Sequence, residues 1–469
     1  MDGRHMSEKK DMVYAISANF LSTLVSAIIT LLLPKQISVE EYGYFQYYLF
    51  WAGYLGIFHL GWIDGLYLVH CGDYYDNLDK KRISRQLRSF SIFQFILGVL
   101  IIVYALFFES NPDHRVVFIC IGVLLSITNT RLMLLYILQA TARIKEYSIS
   151  TIGGLGIYLL MIVVLMILKI KKYEYYVMAN IISIAAPMVM AAFYCKNIVT
   201  EKPVIVKESI QDTIEYIRVG SKLLIANYAS AWIIGIVRFL IEKKWDISTF
   251  AKISLTITIS NLFMSLINAI ALVLLPMLRR MDNKRLFRLY DNLNTVLLTA
   301  LFGGMILYYP VERILLFWLP EYRDGLIYMA LLFPICVFES KNALILNTYL
   351  KALRKEKIIM LINIIIVILN GIMSGIAVFY FNSIALAMLC IVIALAIRCV
   401  LFEAYLSSQL HVFVKQDIIT ELAMSAAFIT CNWMVGGGNG LLFYIALFAA
   451  YLIINRKRII LSYSTIMNK

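Results

Sequence analysis

Apolar residues run along this chain in long, unbroken stretches that are separated by short polar and charged segments. A membrane-spanning helix needs about 20 consecutive apolar residues. Read with that requirement, the pattern predicts about 14 membrane-spanning helices. The predicted ranges are 12–33, 44–70, 87–108, 115–139, 148–168, 174–195, 217–241, 251–276, 291–309, 325–350, 357–380, 383–410, 418–435 and 440–455.

The connections between these stretches are short. The longest polar one, from Lys196 to Tyr216, has about twenty residues, so no soluble domain is inserted between the helices. A barrel strand would alternate apolar and polar residues over about 10 positions, whereas these stretches are unbroken and longer. The sequence therefore predicts an all-α polytopic membrane protein.

Composition supports the same class. Hydrophobic residues make up 61% of the 469 and charged residues 15%, with a mean hydropathy of +0.80. A soluble domain is about 45–50% apolar and about 25% charged. The net charge of +14 suggests nucleic acid at first sight, but cytoplasmic loops of membrane proteins carry an excess of Lys and Arg. We therefore expect membrane lipids around the chain and no nucleic-acid partner.

The positions of the cations predict the orientation. Met1 to Asp11 is polar, so we expect no cleaved signal peptide and a cytoplasmic N-terminus. The alternate loops that would then be cytoplasmic hold about three times as many cations as the others, which predicts that both termini are cytoplasmic. The expected cytoplasmic cations include Lys80, Lys81, Arg82, Arg85, Arg88, Arg143, Lys145, Arg279, Arg280, Lys351, Arg354, Lys355, Arg456, Lys457 and Arg458.

Two short segments recur later in the chain. Ile16–Tyr44 aligns with Leu224–Lys252 at an offset of 208 residues, and Leu138–Lys145 (LQATARIK) aligns with Leu350–Lys357 (LKALRKEK) at an offset of 212. Six helices separate the equivalents, an even number, so the two halves should share one orientation in the membrane. We expect six-helix bundles at 1–206 and 207–415 in a parallel pseudo-repeat. Helices 13 and 14 and a basic cytoplasmic tail then occupy 416–469.

The segment Leu33–Leu68 resembles the first two helices of bacterial polysaccharide flippases, in the multidrug/oligosaccharidyl-lipid/polysaccharide exporter superfamily. Its loop and glycine pattern match that family at Ile37, Ser38, Glu40, Glu41, Tyr42, Gly43, Gly61 and Gly65. The chain length, helix number and repeat also fit the family. Many relatives carry an Arg shortly after the second glycine, where this chain has Leu68, Val69 and His70.

This resemblance implies a transporter of the bacterial inner membrane that works by alternating access. Its substrate would be an undecaprenyl-pyrophosphate-linked oligosaccharide repeat unit of O-antigen or capsule, moved from the cytoplasmic to the periplasmic leaflet. The implied partners are this polyprenyl-pyrophosphate-linked glycan, a polysaccharide polymerase and a chain-length regulator. Such a substrate carries a diphosphate, which cannot cross hydrocarbon without a polar, cationic path.

Cations deep in apolar stretches are the candidate substrate-binding residues, because ionisable groups in a membrane are costly and usually face a cavity. Three cations lie deep: Arg131 in helix 4, Lys341 in helix 10 and Arg398 in helix 12. Arg238 and Lys222 lie nearer the ends of helix 7, where snorkelling to the headgroups is an alternative. The three deep cations, Arg131, Lys341 and Arg398, could instead be structural, paired with Glu403 or backbone carbonyls.

Other polar residues in the spans are also candidates. Asn19 and Asn227 hold equivalent places in the repeat and are expected either to line the cavity or to bond between helices. Asp64 and Glu403 are candidates for proton or cation coupling, and Asp64 could instead cap a helix break between Gly61 and Gly65.

Catalytic chemistry has little support. The five histidines and seven cysteines show no metal-ligand spacing, and no nucleotide or nucleophile motif occurs, so we expect a transporter with no cofactor and no metal. One alternative is a cation-coupled drug exporter of the same superfamily, which would be expected to use cavity acids. The other is a membrane polysaccharide polymerase or glycosyltransferase, which would need a large extramembrane loop.

Overall fold

A computed structural model describes residues 20–202, 208–262, 283–410 and 415–467. These residues form α-helices with short 3-10 and π segments, joined by turns, and they contain no strand. Eleven of the described helices are long and apolar enough to cross a membrane, and Phe20–Gln36 is a shorter apolar helix. The prediction of an all-α polytopic membrane protein is confirmed.

The chain divides into two compact units, Met1–Tyr228 and Ala229–Lys469. The helices described in the first unit are α1 (Phe20–Gln36), α2 (Val39–Ala52), α3 (Trp62–His70), α4 (Lys80–Phe108), α5 (Pro112–Ala140), α6 (Ile144–Ile167), α7 (Tyr173–Tyr194), the short Lys196–Val199 and the first part of α8 (Glu208–Lys244).

The second unit begins within α8. Its other described helices are α9 (247–262), α10 (Asn283–Gly304), α11 (Tyr308–Trp318), α12 (Met329–Ala352), α13 (Glu356–Gly375), α14 (Ile384–Leu410), α15 (Lys415–Thr430) and α16 (Gly437–Met467). Of the most apolar stretch of α12, 89% is buried, compared with 44% or less for the other described membrane helices. This helix is the core element of the second unit.

The second predicted helix, 44–70, is wrong as one continuous element. The structure breaks it into α2, a 3-10 turn at Leu55–His59, and α3, with left-handed backbone at Leu60 (φ 55°) and Gly61 (φ 86°). Side-chain amides satisfy carbonyls that the break leaves free. Asn129 donates to Leu55 O at 3.1 Å and Gln94 donates to Phe58 O at 3.0 Å. A membrane tolerates irregular backbone where the protein itself supplies such partners.

The last predicted helix, 440–455 followed by a basic tail, is too short. The structure continues α16 to Met467, about three turns further. The basic run does not end the helix, because Arg458 binds carboxylates of α10 and α15. The predicted helices at 12–33 and 251–276 lie partly outside the described residues.

Glycines allow two close helix crossings in the first unit. A Cβ at Gly98 of α4 would lie 2.4 Å from Gly122 O of α5, and a Cβ at Gly65 of α3 would lie 1.9 Å from Tyr216 O of α8. Small residues let membrane helices approach until their backbones are in contact. Such close packing stabilises helix pairs in lipid, where no hydrophobic effect drives helices together.

The sequence repeat appears in the structure as matching helix caps. Ser38 Oγ accepts the Glu41 N–H at 3.3 Å at the start of α2, and Asp246 Oδ1 accepts the Thr249 N–H at 2.7 Å, 208 residues later. The hydrogen bonds from Thr249 hold the pKa of Asp246 below its ordinary value. Both residues stabilise a helix N-terminus by occupying its free N–H groups.

A second pair of caps, 212 residues apart, has nearly identical geometry. Ala142 (φ 56°) and Arg354 (φ 54°) both adopt the left-handed conformation that ends α5 and α12. In each case the next residue's N–H bonds back five residues at 2.8 Å, Arg143 to Leu138 and Lys355 to Leu350. This pattern is typical of a Schellman-like C-cap. The short segments that align in the sequence therefore share the hydrogen bonds of their helix caps.

Candidate functional site

The break in the second predicted helix contains an acid and an imidazole. Asp64, in the first turn of α3, is buried, and its Oδ2 lies 3.9 Å from His59 Nε2. His59 Nδ1 accepts the Gly61 N–H at 3.1 Å, so the proton of a neutral imidazole is on Nε2, on the side of Asp64. At 3.9 Å the contact is electrostatic rather than a hydrogen bond.

Arg131 is a cation of the first unit that has no anionic partner among the described residues. It lies on α5, nine residues before the helix ends at Ala140 and so about 13 Å from that end. Its side chain is half-buried, and its Nε makes no hydrogen bond. Among the described residues, no carboxylate forms an ion pair with it. A buried charge without a partner is costly, so this guanidinium is a strong candidate to meet an anionic ligand.

Lys341 of α12, unlike Arg131, is paired with carboxylates. Its side chain has no solvent exposure, and Nζ lies 2.7 Å from Glu403 Oε1 of α14 and 2.5 Å from Glu421 Oε2 of α15. The Tyr290 hydroxyl of α10 also donates to Glu403 Oε1, at 3.2 Å. Four helices of the second unit thus meet at one buried ion cluster, the Lys341–Glu403–Glu421 cluster.

Arg398 of α14 is likewise neutralised inside the second unit. Its Nη2 donates to Glu339 Oε1 at 2.6 Å and its Nη1 donates to Ser230 Oγ at 2.9 Å. The Arg398 side chain has no exposure, whereas that of Glu339 is 18% exposed. Glu339 therefore pairs across helices, and not with Lys341 two residues away on its own helix.

A third ionic group ties α16 to the same unit. Arg458 donates to Asp417 of α15 at 2.5 and 2.9 Å and to Asp291 of α10 at 2.5 Å. Asn294 donates to Asp417 as well, at 2.9 Å. The C-terminal helices are therefore integrated into the polar core of the second unit rather than added at its edge.

The repeat register explains why Arg131 and Lys341 differ. At the offset of 212 defined by the C-caps, Lys341 corresponds to Asn129, and Arg131 corresponds to Ala343. Asn129 is fully buried and donates a hydrogen bond to Leu55 O in the broken segment. Lys341 is also buried and contacts the carboxylates of Glu403 and Glu421. Two residues further along a helix is a turn of about 200°, so Arg131 points away from the face that Asn129 and Lys341 share.

The other predicted residues are dispersed. Lys222 and Asn227 lie exposed on the first-unit part of α8. Arg238 is half-buried in the second unit, its guanidinium carbon 5.4 Å from the centre of the Phe250 ring. Of the two coupling candidates, Asp64 is in the first unit and Glu403 in the second. Asn19 lies outside the described residues.

Sequence reasoning missed Glu421, which completes the Lys341–Glu403–Glu421 cluster. One signal was available: Glu421 is an acid inside the predicted span 418–435, and intramembrane acids usually pair with intramembrane cations. Hydropathy alone does not reveal which cation it meets, 80 residues away.

A loop cation also has a structural role. Arg143 donates to Glu146 at 2.8 Å and to Tyr194 O at 3.0 Å, and its guanidinium carbon lies 4.6 Å from the centre of the Tyr75 ring. Burial raises the pKa of Tyr75 to about 12, with the Arg143 charge acting in the opposite direction. The neighbouring Lys145 is exposed, which makes it a suitable control position.

No protein-family model matches the chain, and no curated protein matches it in sequence. Solved structures do match, and they show the fold: it is similar to that of a lipid II flippase and of MATE family transporters of the MOP superfamily. One is the lipid II flippase MurJ in an inward closed conformation, with a TM-score of 0.68 and 15% identity over 96% of this chain and 99% of that one. At such low identity the likeness shows the fold alone.

Multidrug resistance transporters also have a similar fold. An inward-facing multidrug resistance MATE family transporter matches with a TM-score of 0.63 and 12% identity, over 84% of this chain and 94% of that one. An outward-facing MATE transporter matches with a TM-score of 0.50 and 14% identity, over 86% and 96%. These neighbours are transporters, and the chain is a multi-pass membrane protein.

Proposed function

We propose that this chain is a flippase that moves undecaprenyl-pyrophosphate-linked oligosaccharide repeat units from the cytoplasmic to the periplasmic leaflet. The observation that carries the proposal is Arg131, a half-buried guanidinium in a membrane helix with no carboxylate partner among the described residues. The fold shared with MurJ, a lipid II flippase, supports it. The chain would work in the bacterial inner membrane by alternating access, with both termini cytoplasmic.

The chemistry of Arg131 suits a diphosphate. A guanidinium presents paired N–H donors that match two phosphate oxygens, and charge-assisted bonds of this kind are the strong ones. Lys341 and Arg398 are already neutralised by three glutamates, so we assign them to the architecture of the second unit. Lys222 and Asn227, exposed on α8, remain candidates for contacts with the glycan or the headgroups.

The drug-exporter alternative rests on the MATE likeness and on Asp64, a buried acid in the first unit. A cationic drug would meet repulsion at Arg131, which favours an anionic substrate. Asp64 with His59 then becomes a coupling candidate in our proposal, able to take up a proton during the transport cycle, as does Glu403. A polysaccharide polymerase and a chain-length regulator would act on the translocated product.

The test is replacement of Arg131 in cells that depend on this chain for surface glycan. A charged hydrogen bond contributes about 1.5–3 kcal/mol, so Arg131→Ala should lower surface glycan about 10- to 100-fold at unchanged membrane abundance. Arg131→Lys should retain part of the activity, because lysine keeps the positive charge. It should not retain all of it, because lysine lacks the paired N–H donors of the guanidinium. Lys145→Ala, at an exposed position in the first turn of α6, is the control and should behave as wild type.

Two outcomes would contradict this assignment. A wild-type level of surface glycan in the Arg131→Ala variant would show that Arg131 does not bind the diphosphate. Unchanged glycan together with altered susceptibility to cationic drugs would favour the exporter alternative.

A further inference from the structure

The Lys341–Glu403–Glu421 cluster has unequal charges. It contains one cation and two carboxylates, and the side chains are 0%, 1% and 3% exposed. Charges removed from water must be compensated locally, since an uncompensated buried charge costs several kcal/mol. With all three groups ionised, the cluster would carry one negative charge in excess.

Among the residues that the structure describes, neighbouring groups do not supply the missing positive charge. The charged or titratable groups around the two carboxylates are Tyr290 on α10, Lys341 on α12, Arg398 and Cys399 on α14, and Asp417 on α15. Arg398 is balanced by Glu339, and Arg458 faces both Asp417 and Asp291.

Two buried carboxylate oxygens of the cluster and a serine hydroxyl on α15 lack hydrogen bonds in the described structure. Glu403 Oε2 and Glu421 Oε1 are the carboxylate oxygens that do not contact Lys341. Ser425 Oγ is the hydroxyl; this side chain is 3% exposed and lies one turn after Glu421 on the same face of α15. Buried polar atoms are rarely left without partners, and ionised carboxylate oxygens can only accept, so the two glutamate oxygens lack a hydrogen-bond donor.

We propose that this cluster binds one proton, carried by Glu403 Oε2 or Glu421 Oε1. The proton comes from water, converts one carboxylate to a carboxylic acid and brings the net charge of the cluster to zero. The new O–H becomes a donor for one of the oxygens without a partner. The flippase proposal names Glu403 alone as a coupling candidate, and this inference extends that proposal to a proton site shared with Lys341 and Glu421.

A proton fits the geometry better than a metal ion. The Lys341 ammonium already lies within 2.7 Å of one carboxylate and 2.5 Å of the other, so a second full cation would be repelled at close range. In the part of the chain that the structure describes, no group of three or more His, Cys, Asp or Glu side chains is arranged to hold a metal ion.

The proton also affects how α15 is held. When it is bound, Glu421 joins α15 to Lys341 of α12 without an uncompensated charge. When it is lost, two carboxylates share a single ammonium in a site with almost no water, and their repulsion favours separation of α15 from α12 and α14. The site thus makes the attachment of this C-terminal helix depend on pH.

Infrared spectroscopy of the purified full-length chain tests the proton directly. The wild type at neutral pH should show the carbonyl stretch of a buried carboxylic acid, shifted in D2O. Glu403→Gln and Glu421→Gln should each remove that band, because one carboxylate then balances Lys341 without a proton. Glu356→Gln, at an exposed position in the first turn of α13, is the matched control and should keep it.

Thermal unfolding against pH gives a second measurement on the same proteins. The wild type should lose stability as alkaline pH removes the proton, whereas the two glutamine variants should show no such loss. Three results would overturn the proposal. The first is the absence of an acid band in the wild type, and the second is a band that persists in both variants. The third is a band that disappears when the choline salt of the buffer is replaced by a sodium salt, because a metal cation would then occupy the site of the proton. These measurements use no lipid-linked substrate, so their failure and that of the flippase proposal are separate.

Discussion

Replacement of Arg398 by alanine should destabilise the protein more than replacement of any exposed cation. The guanidinium is fully buried and donates to Glu339 at 2.6 Å and to Ser230 at 2.9 Å. Arg398→Ala leaves the Glu339 carboxylate without its cation in a largely buried place, and it opens a space on the inner face of α14.

The magnitude follows from the burial of the pair. Removing one partner of a buried ion pair costs about 3–5 kcal/mol, and Glu339 keeps 18% exposure, which places the loss at the lower end. About 3 kcal/mol corresponds to a hundredfold change in the ratio of folded to unfolded protein. Since native proteins are stable by only about 5–15 kcal/mol, membrane abundance and activity should fall together.

The assay is thermal unfolding of the detergent-purified protein together with its abundance in membranes. Arg398→Ala with Glu339→Gln should recover much of the loss, because the stranded charge is gone. Arg131→Ala is the matched control, a deep arginine for which the described residues provide no acidic partner, and should unfold like the wild type. If Arg398→Ala melts at the wild-type temperature, or if Arg131→Ala loses as much stability, the reasoning from ion pairing is wrong.

Two further predictions concern packing and topology. Gly65→Ala should reduce membrane abundance strongly, because its Cβ would lie 1.9 Å from a backbone oxygen of α8. Gly156→Ala is the control and should have little effect, because its Cβ would meet nothing within 4 Å. Equal abundance of the two variants would refute the close crossing of α3 and α8. Cysteines placed at the exposed positions Glu40 and Asp76 should react with impermeant reagent from opposite sides of the membrane, and labelling of both from one side would contradict the orientation.

The sequence predicts the helical class and the places of most helices, because long apolar stretches in a membrane have few alternatives. It does not predict the break after Ala52. That break depends on Asn129 and Gln94, whose amides reach it from helices far along the chain. Hydropathy treats such residues as weak polar positions and contains no information on which carbonyl they meet.

The candidate site divides in the same way. Depth in an apolar stretch identified Arg131, Lys341 and Arg398 as unusual, and the structure places all three inside membrane helices. Whether a deep cation is free or neutralised depends on acids from other helices, and sequence spacing within one helix does not show them. The offset of 212 was readable from the sequence, and applied residue by residue it separates Arg131 from the position equivalent to Lys341.

The buried cluster around Lys341 also has a consequence for biosynthesis. The chain is made from its N-terminus, so Lys341 reaches the membrane before Glu403, and Glu421 follows 80 residues after Lys341. Until Glu403 arrives, α12 carries a cation that lipid tails do not solvate, and the insertion machinery or a retained water path must hold it. Glu403 of α14 supplies the first balancing carboxylate and Glu421 of α15 adds the second, so a nascent chain cut off before Glu403 should be recognised and degraded as unfinished.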